Sequence, residues 1–320
     1  MKTSFFRFAA ILLFASVLAA GCDGRAGNMR LLYWNIQNGM WSDQGSDYDN
    51  FVAWVREYDP DICVWCEAQS IYKSGTADKM APEERYLTEN WGELAARYGH
   101  RYWYVGGHRD DYPQVVTSKY PIENVQRIVG QAPDSIVSHG AGWARITKNG
   151  KTVNIVTLHT WPQGYAFRAE DREASRAEYG GDKYRRVEIE YICSHTVATE
   201  PYAAQQLWMM MGDFNSRSRR DNGVYKYPVD DTRFLVHDYI AEHTPYVDVI
   251  AEMYPGEFCA TMPGKSRIDF VYCTPPLYER ISHARVVVDD FTKPVRDPAK
   301  LSNFYHPSDH RPILVDFDMK

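Results

Sequence analysis

Short apolar segments rich in β-branched and aromatic residues recur along most of the chain, with polar or turn-forming residues between them. Their length and composition are typical of β-strands. The pattern predicts strands over residues 29–34, 62–66, 102–105, 115–117, 142–146, 153–158, 207–211, 268–273, 284–288 and 312–317.

Helical patterns lie between some of these strands. Residues 48–58 and 83–98 carry apolar residues at helical spacing, and residues 184–196 also predict a helix. This last helix falls in a highly charged segment, 163–206, that contains no clear strand. Many strands with few helices predict an α/β fold in which helices cover two packed β-sheets. The sequence has no repeat or linker that would divide residues 29–320, so we predict a single domain there.

Polar residues follow or precede many of the predicted strands. Asn35, Glu67, His159 and the Asp213–Asn215 pair follow four strands, Asp269 begins another, and Asp309 with His310 precedes the last. These positions share one edge only if some strands run in opposite directions. The sequence therefore predicts mixed or antiparallel sheets with a single polar rim as the site.

The segment 207–216 is the most informative of these strand ends. A buried apolar strand would be interrupted by Gly212, and Asp213 and Asn215 would then lie on one side with Phe214 turned into the core. A carboxylate and an amide side by side can bind water, a metal ion or phosphate oxygens. The alternative is an ordinary turn, because Gly, Asp, Asn and Ser all favour turns.

Charge restricts the choice of partner. The 320 residues carry a formal net charge of −6, so no global positive field attracts nucleic acid or an anionic membrane. A polyanion would need a local basic patch. Arg217, Arg219, Lys265 and Arg267 lie near Asp213 or Asp269 in the sequence, and they predict either phosphate contacts or a solvated loop.

The N-terminus predicts export. Residues 1–22 form a basic start, an apolar run and a small-residue end that leads to Cys22. This end resembles a bacterial lipobox, so Cys22 is expected to carry a lipid anchor in the cell envelope, followed by a short linker at 23–28. The alternative is cleavage after Ala20, which would give a periplasmic or secreted protein.

Cys63 and Cys66 lie in a strand-like run and are expected to be buried rather than to bind zinc.

Seven short motifs occur in the order that is typical of the endonuclease/exonuclease/phosphatase superfamily, which the chain resembles. They are Trp34-Asn35-Ile36-Gln37-Asn38, Asp59-Pro60-Asp61-Ile62 with Glu67, Ser118-Lys119-Tyr120-Pro121-Ile122, Thr157-Leu158-His159, Gly212-Asp213-Phe214-Asn215, Arg267-Ile268-Asp269-Phe270 and Ser308-Asp309-His310-Arg311-Pro312. The resemblance implies a four-layer sandwich of two β-sheets flanked by helices, and metal-dependent hydrolysis of phosphate esters.

The resemblance also implies roles for the rim residues. Glu67 is expected to be the principal Mg²⁺ ligand with Asn35 beside it, and Asp309 completes the acidic cluster, with Mn²⁺ as the alternative ion. Asp213 and Asn215 orient the attacking water and the phosphate. His310 is the catalytic histidine, held by Asp269, and His159 is a second histidine. The acid that pairs with this second histidine has no clear counterpart, and Asp110 and Asp111 are the candidates.

These observations favour a metal-dependent phosphodiesterase, most simply an exported or surface-anchored nuclease without an obligate protein partner. The alternative enzyme is a phosphatase or phospholipase C-type hydrolase that acts on inositol phosphates or sphingomyelin. A binding protein on the same scaffold would be expected to have lost a metal or histidine position. None of these positions is lost in the sequence.

Overall fold

The computed structural model of the protein describes residues 28–69, 90–108, 111–130, 136–296 and 304–320. The predicted leader with Cys22, the candidate Asp110 and the first part of the predicted helix at 83–98 lie outside these described residues. Within the described part, no helix has both the length and the apolar character needed to cross a membrane.

Within these described ranges, the strands form two six-stranded sheets and one short ribbon. In chain order they are β1 (Asn28–Asn35), β2 (Ile62–Cys66), β3 (Tyr102–Gly106), β4 (Gln114–Ser118), β5 (Ile122–Ile128), β6 (Ala141–Lys148), β7 (Lys151–His159), β8 (Leu207–Asp213), β9 (Val247–Asp248), β10 (Asp269–Cys273), β11 (Ile281–Val286), β12 (Val295–Arg296), β13 (Tyr305–His306) and β14 (Ile313–Asp318). The first sheet has the order β11-β14-β1-β2-β4-β3, and the second has the order β5-β6-β7-β8-β10-β9.

Each sheet contains one parallel pair. β1 and β2 are parallel in the first sheet, and β7 and β8 are parallel in the second. Every other pairing in the two sheets is antiparallel. The prediction of mixed sheets is therefore confirmed.

The helices of the described residues are α1 (Gln37–Met40), α2 (Asp49–Tyr58), α3 (Trp91–Arg97), α4 (Arg172–Ala177), α5 (Gly180–Ser194), α6 (Asn222–Tyr225), α7 (Leu235–His243), α8 (Val249–Met253) and α9 (Pro275–Tyr278). α2 and α3 cover the outer face of the first sheet, and α5 and α7 cover that of the second. The buried residues of α8 and α9 pack in the core between the sheets. Short 3₁₀ turns lie at Trp41–Ser46, Val197–Thr199, Ala203–Gln205, Arg219–Asp221 and Thr232–Phe234.

Successive apolar residues of the central strands point to opposite faces of each sheet. They form one apolar layer between the sheets and one on each outer face. In β1, Leu31 and Tyr33 face the second sheet, whereas Leu32 and Trp34 face α2 and α3. In β8, the inward residues are Met209 and Met211, and the outward residues pack against α5 and α7. Successive strand residues point to opposite faces, so a run that is apolar throughout must be covered on both sides. The predicted four-layer sandwich is confirmed.

The topology also brings the polar strand ends together. In the second sheet, Asp213 at the end of β8 pairs with His159 of β7 on one side and with Asp269 of β10 on the other. In the first sheet, Asn35 pairs with Cys66, so Glu67 follows immediately beside it. The loop before β14 adds His310. One rim therefore collects residues from both sheets.

Some elements differ from the predictions. The strand expected at 284–288 is Ile281–Val286, and the helix expected at 184–196 is Gly180–Ser194. The sequence pattern missed β5, whose apolar residues are interrupted by charged and amide side chains at the edge of the sheet. It also missed most of the short helices.

Candidate functional site

The polar rim surrounds a cavity of about 420 Å³. Six of the predicted site residues line it: Glu67, His159, Asp213, Asn215, Asp309 and His310. A larger groove of about 650 Å³ lies at the opposite end of the second sheet, near the starts of β7 and β8, and contains none of the predicted site residues. The chemistry that the sequence predicts is therefore concentrated in the smaller cavity.

Glu67 is held at the end of β2 by the turn that follows β1. It has a left-handed backbone conformation with φ of 55°, and its carbonyl accepts a hydrogen bond from Gly39 N at 2.6 Å. Its carboxylate accepts hydrogen bonds from Asn38 N and from Asn35 Nδ2, each at 3.2 Å. Burial, and secondarily the charge of Asp309, raises the pKa of Glu67.

Asn35 joins the two central carboxylates. Its Nδ2 also donates to Asp213 Oδ2 at 3.1 Å, and its Oδ1 accepts from Gln37 N at 3.1 Å. A backbone N–H must face an acceptor, so this contact fixes which end of the amide faces the carboxylates. In this arrangement Asn35 is a donor to Glu67 and Asp213, whereas the resemblance implies that it belongs to the metal site beside Glu67.

Asp213 is the most central carboxylate of the site. Besides the contact with Asn35, its Oδ1 accepts a hydrogen bond from Asn215 N at 2.9 Å. Asn215 has φ of 46°, and its Nδ2 donates to Thr160 O at 3.0 Å. Phe214 is fully buried, as predicted. Burial raises the pKa of Asp213 to about 7; Asp269 adds to this rise and His310 opposes it.

His310 and Asp269 form a buried pair. His310 Nδ1 lies 2.7 Å from Asp269 Oδ2, and Tyr33 Oη donates to Asp269 Oδ1 at 2.7 Å. The other ring nitrogen, Nε2, lies 3.7 Å from Asp213 Oδ2 and 3.8 Å from Asp309 Oδ1. Burial disfavours the charged ring, but Asp269 and Asp309 outweigh it and raise the pKa of His310 well above its usual value. His310 is only 4% exposed, so it is a buried member of the rim.

The loop that carries His310 is fixed by its backbone. Ser308 Oγ donates to Asn35 O at 2.7 Å and accepts from His310 N at 3.1 Å. Trp34 Nε1 donates to His310 O at 2.9 Å. These contacts tie the loop before β14 to the end of β1, which holds the imidazole next to the carboxylates.

A third histidine, which the sequence analysis missed, lies beside His159. The two ring centroids of His139 and His159 are 4.5 Å apart, and His159 Nε2 lies 3.8 Å from Asp213 Oδ2. Asp111 was a candidate partner for His159, but its Oδ1 lies 3.2 Å from His139 Nδ1 instead. Burial, together with His139, lowers the pKa of His159 well below its usual value. The sequence position of His139 indicates the same edge of the sheet: His139 lies just before β6, and the start of β6 pairs with the end of β7, which carries His159.

The donor set fits a hard divalent cation. Glu67, Asp213 and Asp309 bring three carboxylates to one cavity, and Asn38 Oδ1 is buried there with no hydrogen-bond partner in the described part of the chain. One ligand atom from each of Glu67, His159 and Asp213 lies within 4.8 Å of the others. Carboxylate and amide oxygens are the ligands that Mg²⁺ prefers, and like charges gathered in a buried cavity favour a bound cation.

The predicted phosphate contacts lie elsewhere. Arg267 is 2% exposed, and its guanidinium donates to Asp221 and Asp248, each at 2.8 Å. The prediction of Arg267 as a phosphate-binding residue is therefore wrong, because its donors are used inside the protein. Arg219 pairs with Asp238, and neither it nor Arg217 nor Lys265 lines the cavity. No Lys or Arg is present among the described residues that line this cavity.

Similar folds occur in several solved structures of low sequence identity. An endonuclease/exonuclease/phosphatase from Beutenbergia cavernae is 17% identical with a TM-score of 0.61, over 91% of this chain and 72% of that one. An AP endonuclease from Archaeoglobus fulgidus is 18% identical with a TM-score of 0.55, over 91% and 99% of the two chains. The 3′ phosphatase NExo from Neisseria is 16% identical with a TM-score of 0.56, over 91% and 99%.

The comparison with curated protein sequences gives no match. The comparison with protein families does: the chain matches the Endonuclease/Exonuclease/phosphatase family over residues 32–310, which includes every predicted rim residue. The chain therefore belongs to the endonuclease/exonuclease/phosphatase family, whose members hydrolyse phosphate esters and generally use a divalent metal.

Proposed function

We propose that this protein is a divalent-metal-dependent phosphodiesterase whose reaction takes place in the rim cavity. The observation that carries the proposal is the position of Asp213. Its Oδ2 lies 3.7 Å from His310 Nε2, and Asn35 Nδ2 donates to the same oxygen at 3.1 Å. A carboxylate fixed this closely to a histidine–aspartate pair is suited to proton transfer at a phosphate ester.

The metal would be held by the oxygens of Glu67 and Asp309, with Asn38 Oδ1 as a further ligand. We expect Mg²⁺, with Mn²⁺ as the alternative ion. When it is bound, the ion supplies positive charge to the phosphoryl oxygens and to the leaving oxygen. The remaining chemistry belongs to the side chains of the protein.

Asp213 is the group proposed to receive the proton of the attacking water. Its Oδ1 is fixed by Asn215 N, and the side chain of Asn215 is held by Thr160 O, so the amide is presented at the same edge as the carboxylate. A base must lie within hydrogen-bond reach of the proton that it removes, and a fixed carboxylate in the cavity wall satisfies this requirement.

His310 is proposed to contact the pentavalent phosphate. Its Nδ1–H donates to Asp269, so its Nε2–H is directed toward Asp213 and Asp309 in the cavity. Asp269 stabilises the imidazolium form, which places positive charge where the transition state gains negative charge. His159, whose Nε2 lies 3.8 Å from Asp213, completes the polar wall on the opposite side of this carboxylate.

A nucleic acid strand is the first substrate class. Its support is that the structure of Neisseria NExo holds a product DNA hairpin, and that of D. rerio TDP2, 13% identical to this chain, holds a single-stranded DNA product. The second class is a smaller ester, such as an inositol phosphate or sphingomyelin. It is favoured by the absence of Lys and Arg among the described lining residues, since contacts to a long polyanion are normally basic.

A substrate panel with Mg²⁺ tests the proposal and separates the two classes. It would contain duplex and single-stranded DNA, RNA, sphingomyelin, inositol phosphates and bis-(4-nitrophenyl) phosphate. We expect hydrolysis that is abolished by EDTA and strongly reduced in His310→Ala. The matched control is His283→Ala, because His283 is exposed on β11 and takes no part in the cavity. Hydrolysis of no member of the panel, or full activity in EDTA, would refute the proposal.

A further inference from the structure

The polar half of α5 contacts the wall of the cavity from outside the second sheet. Along the buried side of this helix, Asp182, Arg185 and Glu188 come first and Ile189 and Ile192 follow. The apolar residues pack in the outer core with α7 and β8. Arg185 and Glu188 instead contact two loops, 136–140 before β6 and 160–163 after β7, and Asp182 pairs with Arg185.

Glu188 bonds to both loops at once. Its Oε1 accepts from Ser138 N at 2.8 Å and from Ser138 Oγ at 2.7 Å, and its Oε2 accepts from Trp161 N at 2.9 Å. The side chain is fully buried, although no Lys or Arg pairs with it among the described contacts. A buried carboxylate without a cation is costly unless such donors satisfy it, so the three contacts account for its presence.

Two neighbours of Glu188 on α5 strengthen the same connection. Arg185 Nη1 donates to Trp161 O at 2.8 Å and to Gln163 O at 3.0 Å, and Tyr184 Oη donates to Ile136 O at 2.6 Å. Each contact is to backbone, so the helix fixes the course of the loops whatever side chains they carry. Both ends of each loop are then held, by the sheet on one side and by α5 on the other.

The loops held in this way carry the aromatic wall of the cavity. His139 follows Ser138 directly, and its ring centroid lies 4.5 Å from that of His159 and 6.0 Å from that of Trp161. Both His139 and Trp161 line the cavity. His139 Nε2 is buried and has no hydrogen-bond partner among the described residues, which leaves it available to a bound group.

We propose that Glu188 is a positioning residue that holds His139 and Trp161 against the substrate through the two loops. This inference rests on the proposed function, since it assigns how one wall of the same cavity is kept in place. A purely structural carboxylate would stabilise the fold without any effect on turnover. A positioning residue acts through His139 and Trp161, so its removal matters only while those side chains are present.

A double-mutant comparison distinguishes these two roles. In Glu188→Gln, the amide oxygen can still accept from Ser138, but its NH₂ group faces the N–H of Trp161. The loop after β7 then loses this bond and, in the part of the chain that the structure describes, is held by α5 only through Arg185. We expect kcat/KM on bis-(4-nitrophenyl) phosphate to fall by about 10- to 100-fold, the range typical of a misplaced contact. In a His139→Ala/Trp161→Ala background, the same change should cost less than about 2-fold.

The control and the second readout come from the same helix. Glu190 is exposed and pairs only with Arg186 in the described contacts, so Glu190→Gln should leave kcat/KM unchanged. Amide hydrogen exchange of Glu188→Gln should become faster in segment 160–163, where the bond to Trp161 N is lost, and stay the same in the central strands. Both measurements are made well below the midpoint of thermal unfolding.

An equal loss of kcat/KM in both backgrounds would overturn the positioning role, as would no loss in the wild-type background. Unchanged exchange in segment 160–163 would overturn the proposed connection between Glu188 and this loop, whatever the activity of the variant. An enzyme whose wild type hydrolyses no member of the panel would refute the proposed function, while the exchange result would still report on the contacts of Glu188.

Discussion

The substitution Asp269→Asn separates the charge of the histidine–aspartate pair from its geometry. Asp269 is fully buried, with His310 Nδ1 and Tyr33 Oη each 2.7 Å from one of its oxygens. An amide of the same size can keep its oxygen toward His310 and turn its NH₂ toward Tyr33. The tyrosine hydroxyl can accept as well as donate a hydrogen bond, so both contacts survive. The negative charge beside the imidazole is lost, and the hydroxyl proton of Tyr33 loses its acceptor.

The expected loss of rate follows from that charge. Asp269 is the largest of the effects that raise the pKa of His310 against burial, so without it the imidazolium form is disfavoured in the cavity. Proton-transfer or charge contacts of this kind typically contribute about 10²- to 10⁴-fold. A loss of about 10³-fold corresponds to about 4 kcal/mol of transition-state stabilisation. We expect the free energy of unfolding to change less, because both pairs of atoms keep a hydrogen bond and only the hydroxyl proton of Tyr33 loses its acceptor, at a cost of about 1–3 kcal/mol.

The assay is steady-state hydrolysis of the best substrate of the panel, with urea unfolding of each variant in parallel. Tyr33→Phe is the matched control: it removes a hydrogen bond to Asp269 but keeps the charge, and we expect it to cost less than about 10-fold. The double variant Asp269→Asn/His310→Ala should be hardly slower than His310→Ala alone, since the two residues act as a unit. If Asp269→Asn turned over within about 3-fold of wild type, the reasoning about this pair would be wrong.

Three further predictions concern the metal, acid stability and location. Glu67→Gln should raise the Mg²⁺ concentration needed for half-maximal activity by about 10-fold or more, because a charged ligand is lost; an unchanged requirement would remove Glu67 from the metal site. Burial lowers the pKa of His100 to about 4, so its neutral form adds stability above pH 6.5 that is lost as the pH falls toward 4. The loss is about 3 kcal/mol. In urea unfolding, the difference in free energy of unfolding between wild type and His100→Gln should therefore be smaller at pH 4.5 than at pH 7. An equal difference at the two pH values would contradict this account. Cys22→Ala should move the protein from the membrane to the soluble fraction of the cell, and a variant that fractionates like wild type would rule out the predicted anchor.

The acid prediction depends on a hydrogen-bond chain that only neutral His100 completes. Its Nε2 lies 2.8 Å from Pro60 O and must donate there, so its Nδ1, 2.8 Å from Thr117 Oγ1, is the acceptor. Thr117 Oγ1 in turn lies 3.1 Å from Tyr98 Oη. Protonation of Nδ1 would place two donors face to face unless the threonine hydroxyl turned away. This network lies on the outer face of the first sheet and does not involve the cavity.

Much of the rim could be predicted from the sequence because each of its residues is adjacent to a strand. An apolar run fixes the strand, and the first polar residue after it must lie at the edge of the sheet. Glu67, His159 and Asp213 follow this rule. His139 lies at the same edge because it comes just before a strand, β6, instead of after one. A histidine between serine and glycine is also typical of a turn, so the sequence pattern did not indicate His139 as a site residue.

Charged residues that the fold buries could not be assigned in the same way. Arg267 and Glu188 are expected at the surface from their residue type, since such side chains are almost never fully buried unless they are paired. Their partners are Asp221 and Asp248 for the arginine, and the backbone of two loops for the glutamate. These partners are distant in the sequence, and no local pattern marks the pairing. The assignment of Arg267 to phosphate failed for this reason.

The topology of the two sheets explains why one rim holds the whole site. β1 and β2 are parallel and end together, as do β7 and β8, and the antiparallel neighbours β14 and β10 begin at those ends. The carboxylates and His310 are therefore placed by strands whose course is fixed by the apolar core. The loops before β6 and after β7 are placed differently, because α5 lies in the 163–206 segment and contacts them from outside the sheet. It follows that substitutions in this segment can reshape the His139 and Trp161 wall, and with it the choice of ester, while the metal ligands and the Asp269–His310 pair stay in place.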